Sequence, residues 1–528
     1  MSYSRKLREA AVGLAVVGLV AGSTAILAAT PALASVHAGP SAGHPAAGQS
    51  VQPGWPSAGQ NNDDTHDNPD ERAIGVSNVG RLAPRWVFTT AGDVSATATV
   101  AAGTVFVPDW GGKLWAINAE TGKADWSHAI AGYDGVPGDV SRTSPAYWNG
   151  EIVIGTGAQT ISALDGAYVV GINARNGTML WRTQVDSNPA AIVTSSPTVD
   201  DGIVYVGTSS KDQDLSAPPT FRGSVLALSA TTGKILWRTR TVPAGYTGGA
   251  VWGSQPVVDH ATGLLYVGVG DNYSAPHGVC TSPAQADCTP RGPADHIDSV
   301  LGLNLTTGAI DWYKDTLSAD TWTIAMPNDS PDYDFGADPQ LYTTDINGKP
   351  TQLLGIGQKS GVYWALNPAT GAVVWQAQAG PGGTLGGIEW GTATDGRHIF
   401  IAEANSSHVP TTITTPNGTK TTITSGFFTA LNAATGAVDW QVPDPQGGET
   451  MDDSFVSSAN GVMYAGSAAA TGTNMYALDA STGKILWSYA SGGAEFAGAS
   501  IAGGTVYWGS GYHNGDNDKL YAFTLDGR

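Results

Sequence analysis

The chain has 528 residues, among them 70 glycines and 17 tryptophans, and only 13% of its residues are charged. That composition favours short strands and tight turns over helices, and the length exceeds one simple core and suits a radial array of small sheets. A net charge of −20 argues against nucleic acid and anionic membranes as partners, while identifying no partner itself.

At the N-terminus, Arg5, Lys6 and Arg8 precede an apolar run from Ala10 to Ala29, and Ala32-Leu33-Ala34 follows. This is the basic, apolar and small-residue order of a secretory signal cut after Ala34, so residues 1–34 are read as a signal peptide and the protein as secreted or periplasmic. An uncleaved anchor is the alternative, because the run approaches the length of a membrane span. With the signal removed, no membrane span is expected. Residues 35–54 are mostly Ala, Gly, Pro, Ser and His, the composition of a disordered leader. Gly39-Pro-Ser-Ala-Gly43 spells a serine-hydrolase elbow, but no strand precedes it and no helix follows, so it is set aside.

From Trp55 to Arg528 the chain is expected to form one all-β domain. Leu82-Ala-Pro-Arg-Trp-Val-Phe88 reads as a strand carrying a tryptophan with no hairpin before it. A repeated unit follows, clearest at Leu226-Ala-Leu-Ser-Ala-Thr-Thr-Gly-Lys-Ile-Leu-Trp237: an alternating strand, a Thr-Gly turn and a strand ending in tryptophan. Full copies end at Trp126, Trp181, Trp237, Trp312, Trp375, Trp440 and Trp487, with spacings from 47 to 75 residues. Such a period is one four-stranded propeller blade plus its loops. One blade cannot bury the indole alone, so each tryptophan is expected to dock on its neighbour. An eighth copy, Lys519 to Arg528, stops at its turn. Joining it to the Trp86 strand completes an eight-bladed β-propeller closed between the two ends of the chain, without exposed edges.

Two of the intervals carry insertions. The segment near Thr411 to Thr424 reads as a surface hairpin. The longer one, between Trp237 and Trp312, holds Cys280 and Cys288, the chain's two cysteines. In an exported protein this even pair is expected to form a disulfide. Two sulfurs make a poor zinc site, and no Cys-x-x-Cys-His haem-attachment motif is present.

Function is expected at the mouth of the central channel, in residues that break the repeat. Arg142 precedes Thr143-Ser144-Pro145, and Thr194 precedes Ser195-Ser196-Pro197. Ser209 and Asp212 follow Gly207, Asp271-Asn272 follows Gly270, Asp332-Tyr333-Asp334 opens a strand, Lys359 follows Gly357-Gln358, and Glu389-Trp390 follows Gly386-Gly387. Each alone is ordinary turn or surface chemistry. Together they offer hard oxygen ligands suited to calcium, basic groups for a flat anionic cofactor, and in Trp252 a face for stacking.

These stretches resemble the quinoprotein alcohol dehydrogenases, propellers that bind pyrroloquinoline quinone (PQQ) and calcium, and most of all the branch acting on polyvinyl alcohol. Similarity extends from Trp55 to Arg528 and is most specific at Asn78-Val-Gly-Arg-Leu82, Thr220-Phe-Arg-Gly-Ser224, Val267-Gly-Val-Gly-Asp-Asn-Tyr-Ser274, Pro331-Asp-Tyr-Asp-Phe-Gly336 and Gly357-Gln-Lys-Ser-Gly-Val362. The resemblance implies Asp332 as catalytic base, assisted by Asp334 and Lys359. It implies Asp212, Asp271, Asn272 and Asp332 at the metal, and Arg142, Thr194, Ser209, Trp252, Lys359, Glu389 and Trp390 around the quinone. The sequence departs from the family's pattern where Asp212 stands for a glutamate, Asp271 and Glu389 for asparagines, and Pro218-Pro219 for an adjacent cysteine pair. The implied activity is oxidation of an alcohol, a secondary alcohol or polyol, with electrons passing to a separate acceptor such as a cytochrome c. The departures motivate an alternative, a cofactor-free extracellular binding or assembly scaffold. Polysaccharide hydrolysis or lysis has only the channel and the aromatic content behind it.

Overall fold

The computed structural model describes residues 54–528 except 159–163, 254, 326–329, 514 and 516. The signal peptide, the Gly39 to Gly43 elbow and all but the last residue of the leader lie outside the described residues.

Eight sheets form the body, each built on four antiparallel strands, and in all but the last these run from the inner strand outward in sequence order; the seventh gains a short parallel strand, Asp67–Asn68, on its inner edge. The last has three strands from the C-terminus (Ser500–Ala502, Thr505–Gly509, Lys519–Leu525) and takes Leu82–Thr89 as its fourth, with Trp86 opposite Ala522. The ring therefore closes where the interrupted copies of the repeat predict. No described helix is long and apolar enough to cross a membrane.

The repeat's tryptophan does the same work in every blade. Its indole N–H donates to a backbone carbonyl of the next blade: Trp86 to Ala119, Trp126 to Ala174, Trp181 to Ala230, Trp237 to Leu305, Trp312 to Pro368, Trp375 to Ala433, Trp440 to Ala480 and Trp487 to Leu82. Its cross-strand partner is always small; Ala227 faces Trp237 and Gly302 faces Trp312, leaving room for the ring beside the third strand. The turn glycine answers two demands. Gly233 has φ +68°, and a Cβ there would lie 2.4 Å from the ring of Trp181 in the preceding blade. A side chain at this position would meet both backbone strain and a clash.

A strap precedes the first blade. Between Trp55 and Asn68 it hydrogen-bonds in turn to the innermost strands, Trp55 pairing with Val100, Pro56 O accepting from Tyr147 N, Asn62 O from Val258 N and Asp63 O from Leu341 N. Asn62 reaches Asp200, Thr65 O accepts from Thr394 N, His66 O from Ser458 N, and Asn68 Nδ2 donates to Ile501 O. All eight blades are touched. His66 is fully buried between Asp64 and Asp338, with Nε2 at 3.5 and 3.2 Å from their carboxylates.

The insertions are also placed. Thr411–Thr414 and Lys420–Ile423 pair as the surface hairpin, and Cys280 and Cys288 are disulfide-bonded.

Candidate active site

The site residues come from two points of the repeat: just after the second strand of a blade and just before its first. Ser209, Asp271 and Lys359 occupy the former; Arg142, Thr194, Trp252, Asp332, Asp334, Glu389 and Trp390 the latter. Both points open on one cavity of about 310 Å³, lined by Arg142, Thr194, Ser209, Trp252, Asp332, Asp334, Lys359, Glu389 and Trp390.

Beside it, carboxylate oxygens of Asp271, Asp332 and Asp334 lie within 4.8 Å of one another, all three residues buried. Lys359 Nζ stands 3.3 and 3.4 Å from the Asp332 oxygens and 3.5 Å from Asp334 Oδ2. Asp334 is the organiser of the group. Its Oδ1 accepts from the Asp271 N–H (2.7 Å) and its Oδ2 from Trp252 Nε1 (3.0 Å). Trp252 lies against Gly336, where a Cβ would come within 2.6 Å of the ring, and the Lys359 ammonium sits 5.2 Å from the ring centre. Trp390 meets Trp252 edge-on, and the Arg142 guanidinium lies 4.8 Å over Trp390 while donating to Tyr512 Oη at 2.9 Å. Thr194 Oγ1 donates to the Trp252 carbonyl at 2.7 Å, fixing the segment that carries the indole.

Burial raises the pKa of Asp271, and the carboxylates of Asp334 and Asp332 raise it further. Asp332 is likewise raised by burial; Lys359 opposes this, and Asp334 and Asp320 add to it. Burial works against the Lys359 ammonium, but Asp332, Asp334 and Glu389 outweigh it and hold the lysine well above its ordinary range. Buried carboxylates in excess of cations are costly unless protonated or metal-bound. Asp271 Oδ2 and Glu389 Oε2 are buried without a hydrogen-bond partner. An all-oxygen donor set with an orphaned carboxylate oxygen fits a hard cation, and an indole face with two basic side chains fits a flat polyanion.

Two residues expected at the metal are turned to other work. Asp212 is not part of the carboxylate group; its Oδ2 accepts from the N–H groups of Thr220 and Phe221, closing the turn after Pro218-Pro219. Asn272 gives its amide to Thr247 O and Asp295 Oδ1. Asp332-Tyr333-Asp334 does not open a strand. It lies on an irregular segment ahead of Gln340–Ile346, with Asp332 at φ +55°, a conformation that a strand cannot contain.

Three residues escaped the sequence reading. Trp110 and Tyr512 line the same cavity, and both follow the second strand of their blades, so extending the repeat-break comparison to the first and last blades would have found them. Asp320 is fully buried beneath Asp332, and no pattern marks it.

The family described as glucose/ethanol/alcohol dehydrogenase, β-propeller domain, matches residues 55–382, and one described as outer membrane protein assembly factor BamB matches 424–528. A polyvinylalcohol dehydrogenase of Sphingopyxis sp. (strain 113P3) is 31% identical, over 86% of this chain and 74% of its own. Another, from Pseudomonas sp., is 28% identical over 90% and 77%. Among solved structures, the quinohemoprotein alcohol dehydrogenase ADH-IIG of Pseudomonas putida HK5 superimposes with a TM-score of 0.68 at 18% identity, covering 90% of this chain and 81% of that one. That likeness bears on the fold.

Proposed function

The chain belongs to the PQQ-dependent alcohol dehydrogenase β-propeller family, and from that premise we propose that it is an exported enzyme that oxidises a secondary alcohol or polyol, polyvinyl alcohol among them, and passes the electrons to a separate acceptor such as a cytochrome c. The observation that carries this reading is the convergence of Asp271, Asp332, Asp334 and Lys359 beside a 310 Å³ cavity walled by Trp252.

When bound, PQQ supplies the two-electron oxidant and calcium the Lewis acid that polarises it. Asp271 and Asp332, with Asp334 behind them, would hold the calcium; Arg142, Thr194 and Ser209 would hold the carboxylates of PQQ, and Trp252 its plane. Asp332 would take the proton of the substrate hydroxyl; oxidation of the carbinol to a carbonyl releases one further proton and two electrons, which the two-electron oxidant would accept. Lys359 keeps the Asp332 carboxylate oriented through its contacts at 3.3 and 3.4 Å. Ile324 and Leu385, each more than half exposed, form an apolar lip at the cavity, which favours a hydroxyl flanked by carbon over a small hydrated alcohol. Export rests on the basic, apolar and small-residue order of residues 1–34.

The test is dye reduction by purified protein supplied with PQQ and calcium, using polyvinyl alcohol and small secondary alcohols as substrates. The reading predicts turnover that needs both additions. It fails if no dye is reduced and no quinone absorbance stays with the protein.

A further inference from the structure

Asp332 sits in a left-handed backbone conformation, φ +55°, which costs a non-glycine residue about 1 kcal/mol or more unless neighbours impose it. The Asp320 carboxylate holds the backbone at this point. One carboxylate oxygen, Oδ2, accepts from the Tyr333 N–H at 2.9 Å, and the other, Oδ1, accepts from the Asp332 N–H at 3.3 Å. The Ser330 hydroxyl donates to the same Oδ1 at 2.5 Å and accepts from the Thr321 N–H at 3.2 Å, so the carboxylate is itself held. The Asp320 carbonyl accepts from the Asn272 N–H at 3.0 Å, and Trp322 N donates to Asn272 O at 2.9 Å. Asp320 thus grips both segments that bring carboxylates to the cavity, one beside Asp271 and one at Asp332. It does not line the cavity itself.

We propose that Asp320 is a positioning residue for the alcohol-oxidising site, fixing the backbone of Asp332 in its left-handed conformation and setting it against the Asp271 segment. This rests on Asp332 as the base of the proposed reaction. The Ser330 hydroxyl also lies 3.2 Å from the Thr281 carbonyl, inside the Cys280–Cys288 loop, so the disulfide insertion buttresses the same bracket from outside. A base displaced by about 1 Å loses on the order of a hundredfold in rate without weakening ground-state binding.

The test compares wild type, Asp320→Asn and Ser330→Ala by amide hydrogen exchange on the cofactor-free chain and by steady-state kinetics with PQQ and calcium. The carboxamide that Asp320→Asn introduces has a single acceptor oxygen and cannot serve both N–H groups as the carboxylate does. Expected are faster exchange confined to the stretch around Asp332 and Tyr333, a fall in kcat of roughly ten- to a hundredfold for Asp320→Asn with KM within twofold, and a smaller fall of the same kind for Ser330→Ala. Ser330→Ala also serves if Asp320→Asn does not fold, since it leaves the carboxylate in place. Unchanged exchange at Asp332 and Tyr333, or unchanged kcat, in an active enzyme overturns the positioning role. Inactive wild type with the exchange pattern as expected would instead overturn the reading of Asp332 as base and leave the bracket standing.

Discussion

Trp487 donates its indole N–H to the carbonyl of Leu82 at 2.9 Å, across 405 positions of sequence. The other seven repeat tryptophans make the same bond to a blade that follows them in the chain within 33 to 68 residues. At Trp487 the bond reaches instead back to the strand Leu82–Thr89, ahead of the first blade, and it is part of what closes the ring.

Trp487→Ala is therefore expected to cost about 3–5 kcal/mol, and Trp487→Phe, which keeps most of the buried ring and loses the hydrogen bond, about 1 kcal/mol. Equilibrium urea unfolding followed by tryptophan fluorescence measures both. A cost under half a kcal/mol for Trp487→Ala would mean that this contact adds nothing to closure.

Lys359→Met should separate catalysis from metal binding. Removing the ammonium takes away the cation nearest Asp332 and Asp334, so the carboxylates attract a divalent cation more strongly while Asp332, the proposed base, loses its orienting partner. Calcium affinity is expected to rise roughly tenfold and kcat to fall on the order of a hundredfold. Calcium titration and dye-reduction assays on one preparation read the two effects, which a simple loss of folding would drive in the same direction.

The strap makes stability depend on pH. Burial opposes charging His66, but Asp64 and Asp338 overcome it and raise its pKa from 6.5 to about 9. The folded value lies above the unfolded one, so the folded chain holds a proton that the unfolded chain releases. The His66 contribution is fully present below about pH 6.5 and is lost as pH rises through 9. Melting temperature should fall across pH 7 to 9.5, and His66→Gln should flatten the slope. Parallel profiles for the two proteins would contradict this.

Trp252 is expected to carry cofactor affinity in two ways, through its face and through its N–H bond to Asp334. Trp252→Phe removes only the bond, at about 1 kcal/mol, roughly fivefold in PQQ affinity, while Trp252→Ala removes both and should cost ten- to a hundredfold. Fluorescence titration with PQQ in the presence of calcium distinguishes the two. Equal losses would place the effect in the Asp334 contact alone.

The ring was legible in the sequence because its signal repeats. The tryptophan, the small residue opposite it and the turn glycine recur in copy after copy, and the broken copy at Lys519 finds its missing strand at Leu82. The site was legible where a residue interrupts that repeat, as at Asp271, Lys359 and Glu389. It was not legible where direction decides. Asp212 and Asn272 sit at the expected points, but their side chains serve a turn and a loop, which spacing along the chain does not encode. The strap was missed because it binds mainly through backbone groups, and these leave no side-chain pattern. Asp320 was missed because its two acceptors meet N–H groups 12 and 13 residues away, beyond any local motif.

The most direct test of the account is calorimetric titration of PQQ into the metal-stripped protein with and without calcium, repeated on Asp271→Ala. One-to-one binding that appears with calcium and is lost or greatly weakened in the variant is expected. Binding that ignores calcium, or no binding in its presence, would contradict it.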